Sequence, residues 1–163
     1  GMTKEAVLKI MDLGVAAVDC GGRGGTNFAA IENARRDYEL TCFNSWGNCT
    51  SVSLLETLES TTSNRVIASG GIRNGMEASI ALSIGASCVG MAGVFLRTLK
   101  ESGTEALIQQ IKHTLDEIRL IMAALGAHSI LDLQKSPLFI SGETAQWCQA
   151  RDIDIHKYAR RTI

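Results

Sequence analysis

The chain has 163 residues, 45% of them hydrophobic and 20% charged, enough for one domain with a real core. Sixteen Lys and Arg against seventeen Asp and Glu leave a formal net charge of -1, so the composition points to neither nucleic acid nor a membrane as partner. No run approaches the roughly 18 apolar residues of a spanning helix, and no basic segment leads into an apolar core near the start, so a cytoplasmic protein is expected.

Residues 3–13 read as a helix capped by Thr3, with Val7, Ile10 and Met11 on one face and Gly14 as its stop. Residues 15–19 follow as a near-continuous apolar strand, the pattern of a parallel sheet covered on both faces. The strand runs into Gly21-Gly22-Arg23-Gly24-Gly25-Thr26-Asn27. Four glycines in five positions leave a backbone free to wrap a ligand, and Thr26 and Asn27 add side chains that donate and accept hydrogen bonds. Residues 28–49 then break the strand-helix rhythm. A connection of that length is usually a lid or an unordered segment. Phe28, Tyr38, Phe43 and Trp46 favour a lid, because they give it something to pack against. Residues 51–59 resume as a helix with Leu54, Leu55 and Leu58 inward.

Residues 64–99 contain two consecutive strand-glycine-helix transitions. Residues 66–69 form a strand that breaks at Gly70-Gly71, and a helix opens at Asn74, with Glu77 three residues later completing an N-cap signature. That helix carries Ile80, Ala81 and Ile84 on one face and stops at Gly85. Residues 88–91 are a further strand, and Ala92-Gly93 opens another helix through Leu96 and Leu99. Glycines at the carboxyl end of a parallel strand let the chain approach an anion, and free N–H groups at a following helix start point at it. Arg73 adds a positive charge. A phosphate group is therefore expected between residues 70–73 and 92–93, held by two helix starts and a cation.

Beyond Leu99, Leu107, Ile111, Leu115, Ile118, Met122 and Leu125 mark one long amphipathic helix ending at Gly126, read as core packing. Residues 127–134 suggest a short helix, Pro137 interrupts, residues 142–148 form a turn of helix, and the tail is basic through Lys157, Arg160 and Arg161. His113, His128 and His156 lie far apart and read as structural or surface residues. The cysteines at 20, 42, 49, 88 and 148 form no C-x-x-C pair and are odd in number, so free thiols are expected rather than a zinc site or a disulfide framework. No nucleophile stands beside an evident base and no carboxylates share a face, so no catalytic and no metal-binding residue is assigned.

Three strands ending in glycine-rich loops, two of them about twenty residues apart, give an α/β class and the repeating unit of a TIM (β/α)8 barrel. Such a barrel takes about 250 residues, so residues 1–163 read as its incomplete C-terminal half-barrel, a single domain whose N-terminal part is missing. An open half-barrel leaves the inner face of residues 15–19, 66–69 and 88–91 wet, at about 1.5 to 3 kcal/mol for each large apolar side chain. Self-association, capture by the other half, or loss of order at residues 28–49 and the strand edges is the expected response.

VAAVDCGGRGGTNFAAIENARR, the Phe43-Asn44-Ser45-Trp46-Gly47 segment, IASGGIRNGMEASIALSIGAS and GMAGVFLRTL together resemble the type 2 isopentenyl-diphosphate delta-isomerases, flavin-dependent (β/α)8 barrel enzymes. GGRGGTN followed by IEN is specific to that family, whereas SGGIR and GMAG are shared by many flavin barrels. The resemblance implies that Thr26 touches the flavin. It further implies that Gly70, Gly71, Ile72 and Arg73 hold the FMN phosphate from strand seven, and that Ala92 and Gly93 complete the grip from strand eight. The implied reaction interconverts isopentenyl and dimethylallyl diphosphate for isoprenoid synthesis at reduced FMN, with Mg2+ on the substrate diphosphate, NADPH to prime the flavin, and a homo-oligomer as the working form. The family's substrate-binding arginine and lysine, its histidine-asparagine motif with the proton-transfer glutamine and metal-binding glutamate, and its flavin-contacting lysine have no counterpart here, so this chain is expected to be inactive alone. Cys49 stands where the family would have proline. Two alternatives stay open: another FMN or nucleotide-phosphate barrel of the hydroxy-acid oxidase or inosine monophosphate dehydrogenase type, whose cysteine loop Cys49-Thr50 resembles, or a non-catalytic phosphate-binding fragment.

Overall fold

Three short parallel strands, β1 (Val18–Asp19), β2 (Val66–Ser69) and β3 (Cys88–Gly90), lie in the order β1-β2-β3 in the computed structural model, which describes residues 1–38 and 40–162. Val18 stands opposite Val66 and Asp19 opposite Ile67, while Ile67, Ala68 and Ser69 face Cys88, Val89 and Gly90. Register partners point to the same side of a sheet. Val18, Val66 and Ala68 accordingly share one face and are buried, whereas Asp19, Ile67, Ser69 and Cys88 share the open face. The expected wet row of Val, Ile and Met is thus reduced to Ile67, because the open face is otherwise small or polar. Ser69 Oγ donates to Asp19 Oδ1 at 2.6 Å across it. The strand expected over residues 15–19 is shorter because the carbonyl oxygens of Val15 and Ala16 accept from the Arg65 guanidinium instead of a ladder partner.

Helix α1 (Lys4–Met11) buries Val7 and ends before Gly14, whose φ of +80° only glycine adopts without strain. Thr3 occupies the N-cap position but its side chain makes no cap bond; the Lys4 N–H donates instead to Glu56 Oε2 at 2.9 Å. The long segment after the glycine-rich loop is ordered as α2 (Phe28–Asn33) and a 3-10 turn at Thr41–Phe43, with Glu39 outside the described residues. Asparagines hold it more than aromatics do. Asn27 Oδ1 caps Ala30 N–H at 3.0 Å, and Asn33 Nδ2 donates to Leu40 O at 2.8 Å and Asn44 Oδ1 at 2.7 Å. Phe43 and Trp46 meet edge to face at 5.6 Å, but Phe28, Tyr38, Phe43 and Trp46 are all exposed, which corrects the expectation of an aromatic-packed lid.

Helix α3 (Thr50–Leu58) buries Leu54 and Leu55 against β2, and α4 (Gly75–Ile84) buries Ala78, Ala81 and Ile84 in the same core. Asn74 Oδ1 accepts from Glu77 N–H at 2.9 Å, as the cap signature implies, and Gly85 with φ +143° ends α4. Helix α5 (Gly93–Ala124) consists of two helical pieces bent at Gly103, where φ is +81°. Its expected core stripe is only half covered: Ile111, Leu115 and Leu125 are 37 to 46% exposed, while Thr114 is buried. The reason is Gly75, whose missing Cβ would lie 2.4 Å from Glu117 Cβ and 2.8 Å from Thr114 O. That close approach seats α5 on α4 through the Thr114-Glu117 face and turns part of the apolar stripe outward. Short helices α6 (Ile130–Leu133), α7 (Gly142–Ala150) and α8 (His156–Ala159) close the outer layer, with Cys148 and Tyr158 in the core. All five cysteines are free. Ile163 lies outside the described residues.

Glu56 is fully buried and joins three helices. Besides the Lys4 N–H it accepts from Trp147 Nε1 at 2.8 Å and Arg151 Nε at 2.9 Å, and Arg151 also pairs with Glu5 on α1. Burial pushes the Glu56 carboxyl up, but the bonds from Arg151, the Lys4 N–H and Trp147 outweigh it and hold the group below the ordinary carboxylate range. The Arg151 hydrogen bond, helped by Thr3, lowers Glu5 to about 2. Both folded-state values are depressed, so the stabilisation is fully present above the unfolded carboxylate value of 4.5 and is lost as pH falls toward 2. Thermal unfolding followed from pH 7 to pH 3 is expected to show a flat Tm above about pH 5 and a falling one below it.

Candidate functional site

The loop that leaves the carboxyl end of β1 packs on Gly70-Gly71, at the end of β2. Gly22 N–H donates to Ser69 O at 2.8 Å, which lays residues 21–25 directly on the turn after β2. Gly70 has φ +110° and a Cβ there would stand 2.1 Å from Gly22 O; Gly71 has φ +80° and its Cβ would stand 2.9 Å from Gly24 C. Gly22 in turn approaches Thr50 so closely that a Cβ would fall 2.2 Å from Thr50 Cα. The glycines are therefore spent on backbone-to-backbone packing, and the loop is a fixed platform rather than a wrap around a ligand. Thr50 Oγ1 donates to Gly70 O and fastens the platform to the start of α3.

This packing leaves the N–H groups of Gly71 and Ile72 without an acceptor among the described residues. A cavity of about 300 Å³ beside them is lined by Arg23, Thr50, Gly70, Gly71, Ile72 and Glu77, among others. The Ile72 side chain is buried in the core, so its contribution to an anion is its backbone. Ser69 and Gly90 are register partners, which sends the loops starting at Gly70 and Met91 from the same end of neighbouring strands. At the second loop, Ala92 and Gly93 are exposed, Ala92 makes no side-chain cap, and a Cβ on Gly93 would meet nothing within 4 Å. The start of α5 is thus an open helix N-terminus with its dipole and N–H groups available.

The start of α4 is different. Gly75 N–H donates to Glu117 Oε2 at 2.6 Å, Glu77 N–H to Asn74 Oδ1 at 2.9 Å, and Arg73 N–H to Glu77 Oε2 at 2.8 Å. Its donors are taken by the chain's own oxygens, so the expected pair of helix N-termini is corrected to one, that of α5. Arg73 is engaged as well. Its Nη2 lies 2.6 Å from Glu77 Oε1 and its Nε 3.3 Å from Oε2; the hydrogen bonds to Arg73 hold the Glu77 carboxyl below its ordinary range and raise the guanidinium.

Thr26 lines a second cavity, of about 460 Å³, with residues 21–25, Phe28, Phe43 and Trp46. Arg23 lines both cavities and donates from Nη1 to Ser45 O at 2.8 Å. Arg73, Ala92 and Gly93 line neither. Thr50, the Glu77 partner of Arg73 and the Glu117 cap were not among the sequence candidates. The spacing of Arg73 and Glu77, four residues apart across a helix start, was a legible signal for the pair; Thr50 and Glu117 carried none.

Residues 2–139 match the family model described as FMN-dependent dehydrogenase. The isopentenyl-diphosphate delta-isomerase of Geobacillus sp. (strain WCH70) is 47% identical over 161 residues, covering 99% of this chain and 46% of that protein. The chain spans about half the length of the curated relatives it matches. Among solved structures, the recombinant flavin-binding domain of baker's yeast flavocytochrome b2 aligns with a TM-score of 0.60 at 24% identity, covering all of this chain and 35% of that one. GMP reductase from Trypanosoma brucei aligns with a TM-score of 0.61 at 21% identity, covering 86% of this chain and 32% of that one. At those identities the likeness is one of fold.

Proposed function

The chain belongs to the FMN-dependent dehydrogenase family, and on that premise we propose that it is the FMN phosphate-binding part of an isopentenyl-diphosphate delta-isomerase built on a (β/α)8 barrel. The observation that carries the reading is the turn at Gly70-Gly71, where backbone packing leaves the Gly71 and Ile72 N–H groups without an acceptor among the described residues, on the strand beside the one that leads into α5. These donors match a phosphate dianion in number and charge sense. Gly70, Gly71, Ile72 and Arg73 would hold the phosphate from one loop, Ala92 and Gly93 from the next, and Thr26 would contact the flavin from the first loop. Bound FMN, once reduced, would supply the acid/base centre for the allylic proton shift between isopentenyl and dimethylallyl diphosphate. This chain's own residues would bind and orient: the platform would hold the phosphate at the carboxyl ends of the strands and so anchor the rest of the cofactor. Mg2+ on the substrate diphosphate, NADPH as reductant, a homo-oligomeric working form and a cytoplasmic location belong to the same reading. No described helix is long and apolar enough to cross a membrane. The 47% identity to a named isomerase favours this over a hydroxy-acid oxidase or inosine monophosphate dehydrogenase type of barrel, since the flavocytochrome b2 likeness stands at 24%.

Fluorescence titration of FMN with the full chain tests the reading. Saturable quenching that inorganic phosphate competes for is the expected result, and Arg73→Ala is expected to weaken FMN by about 10- to 150-fold if the charge-assisted bond is well formed. FMN that binds no better than riboflavin would overturn the phosphate site. Isomerase assays of the chain alone, under reducing, anaerobic, Mg2+-containing conditions, are expected to give no turnover, because reduced FMN alone does not suffice without the diphosphate and metal contacts that orient the substrate, and none of these residues is assigned to them.

A further inference from the structure

The anion cavity carries a negative charge of its own. Glu77 lines it together with Gly70, Gly71 and Ile72, while Arg73 does not. The carboxylate takes the Arg73 backbone N–H at 2.8 Å, Nη2 at 2.6 Å and Nε at 3.3 Å, a two-pronged grip on the cation plus a main-chain donor. A glutamate at the third position of a helix ordinarily reaches back to the N-cap N–H, here that of Asn74; Glu77 reaches one residue further and takes Arg73. The Arg73 side chain is 72% exposed and the Glu77 side chain 30%, so the arginine can swing on a long stem while the carboxylate is the more fixed partner. The other charged groups near this point are already committed, Arg23 to Ser45 O and Glu117 to Gly75 N–H.

We propose that Glu77 is the internal counter-ion that an incoming phosphate must displace from Arg73, so that this carboxylate sets how strongly the site favours a phosphorylated ligand over its unphosphorylated form. The inference rests on the phosphate reading of the cavity above and adds a residue that tunes it. In the unliganded state the fork of Arg73 is occupied and its backbone N–H is taken by the same carboxylate. A phosphate dianion offers the guanidinium a second negative charge and a matching pair of oxygens, and it gains Arg73 only by giving up the bond to Glu77 and by approaching the Glu77 carboxylate. Glu77 therefore lowers affinity for phosphate and leaves the flavin ring contacts untouched.

The test is a pair of fluorescence titrations, FMN and riboflavin, on the full chain and four variants. Glu77→Gln is expected to tighten FMN by about 3- to 10-fold and leave riboflavin unchanged, since the amide still accepts from the Arg73 N–H but carries no charge. Arg73→Ala weakens FMN, and the double variant Arg73→Ala, Glu77→Gln recovers part of that loss, because the single variant leaves an unpaired carboxylate facing the phosphate. Glu77→Asp, whose shorter reach loosens the fork while keeping the charge, gives an intermediate gain and replaces the glutamine variant should that one fail to fold by circular dichroism. An unchanged or smaller FMN-to-riboflavin preference in both Glu77 variants overturns the counter-ion role and makes Glu77 a residue that positions Arg73 for the phosphate. A wild-type chain with no preference for FMN over riboflavin overturns the phosphate reading itself, and this inference with it.

Discussion

Replacing Glu56 with alanine is expected to lower folding stability by about 3 kcal/mol, more than the other single substitutions on the outer helices. The carboxylate is fully buried and satisfies the first N–H of α1, the Trp147 indole N–H and the Arg151 guanidinium. Truncation leaves three donors short of an acceptor and opens a gap where α1, α3 and α7 meet. Glu56→Gln keeps the volume and one acceptor oxygen but removes the charge that Arg151 answers, so roughly half the effect is expected. Urea unfolding monitored by Trp147 fluorescence gives the difference directly. The same variants should flatten the acid limb of the Tm profile, because Glu56 is one of the two depressed carboxylates that produce it. An alanine variant as stable as the parent would show that the three helices are held by their apolar contacts alone.

A second large effect is expected at the platform. Gly70→Ala must accommodate a Cβ at φ +110° and 2.1 Å from the Gly22 carbonyl oxygen, so the backbone of one loop has to move. Left-handed strain and overpacking together are expected to cost about 3 to 5 kcal/mol and to abolish FMN binding through loss of the turn that frees the Gly71 and Ile72 N–H groups. Gly93→Ala is the matching control. Its Cβ meets nothing within 4 Å and it sits in the first turn of α5, so stability should hold or rise by about 0.5 kcal/mol. If Gly93 forms part of the phosphate grip, the alanine weakens FMN without weakening the fold. Equal stability losses at both positions would mean that the close packing of residues 21–25 on Gly70-Gly71 is not what sets the turn.

What could be read along the chain was what neighbouring residues decide. The span of β2, the start of α4 at Asn74 with Glu77 N–H on its side chain and the stop at Gly85 are local events, set by propensity and by bonds between residues three or four apart. The glycine pairs also mark the ends of two strands. Which glycines face a ligand and which face backbone depends instead on how the two loops pack, and that placed residues 22 and 24 against 70 and 71.

Long-range partners decided the rest. The start of α4 looked like an anion site until a carboxylate 42 residues away, on α5, was found on its first N–H. Glu56 finds its partners 52 residues upstream and 95 downstream, a convergence that no periodicity announces. The apolar repeat of α5 fixed a helix with one apolar stripe, but its coverage followed from the close contact at Gly75, which chose a neighbouring face for burial. Hydrophobic period and capping residues act within a turn of helix and so are written locally, whereas the occupancy of a donor or the coverage of a stripe is settled only when distant segments compete for the same space.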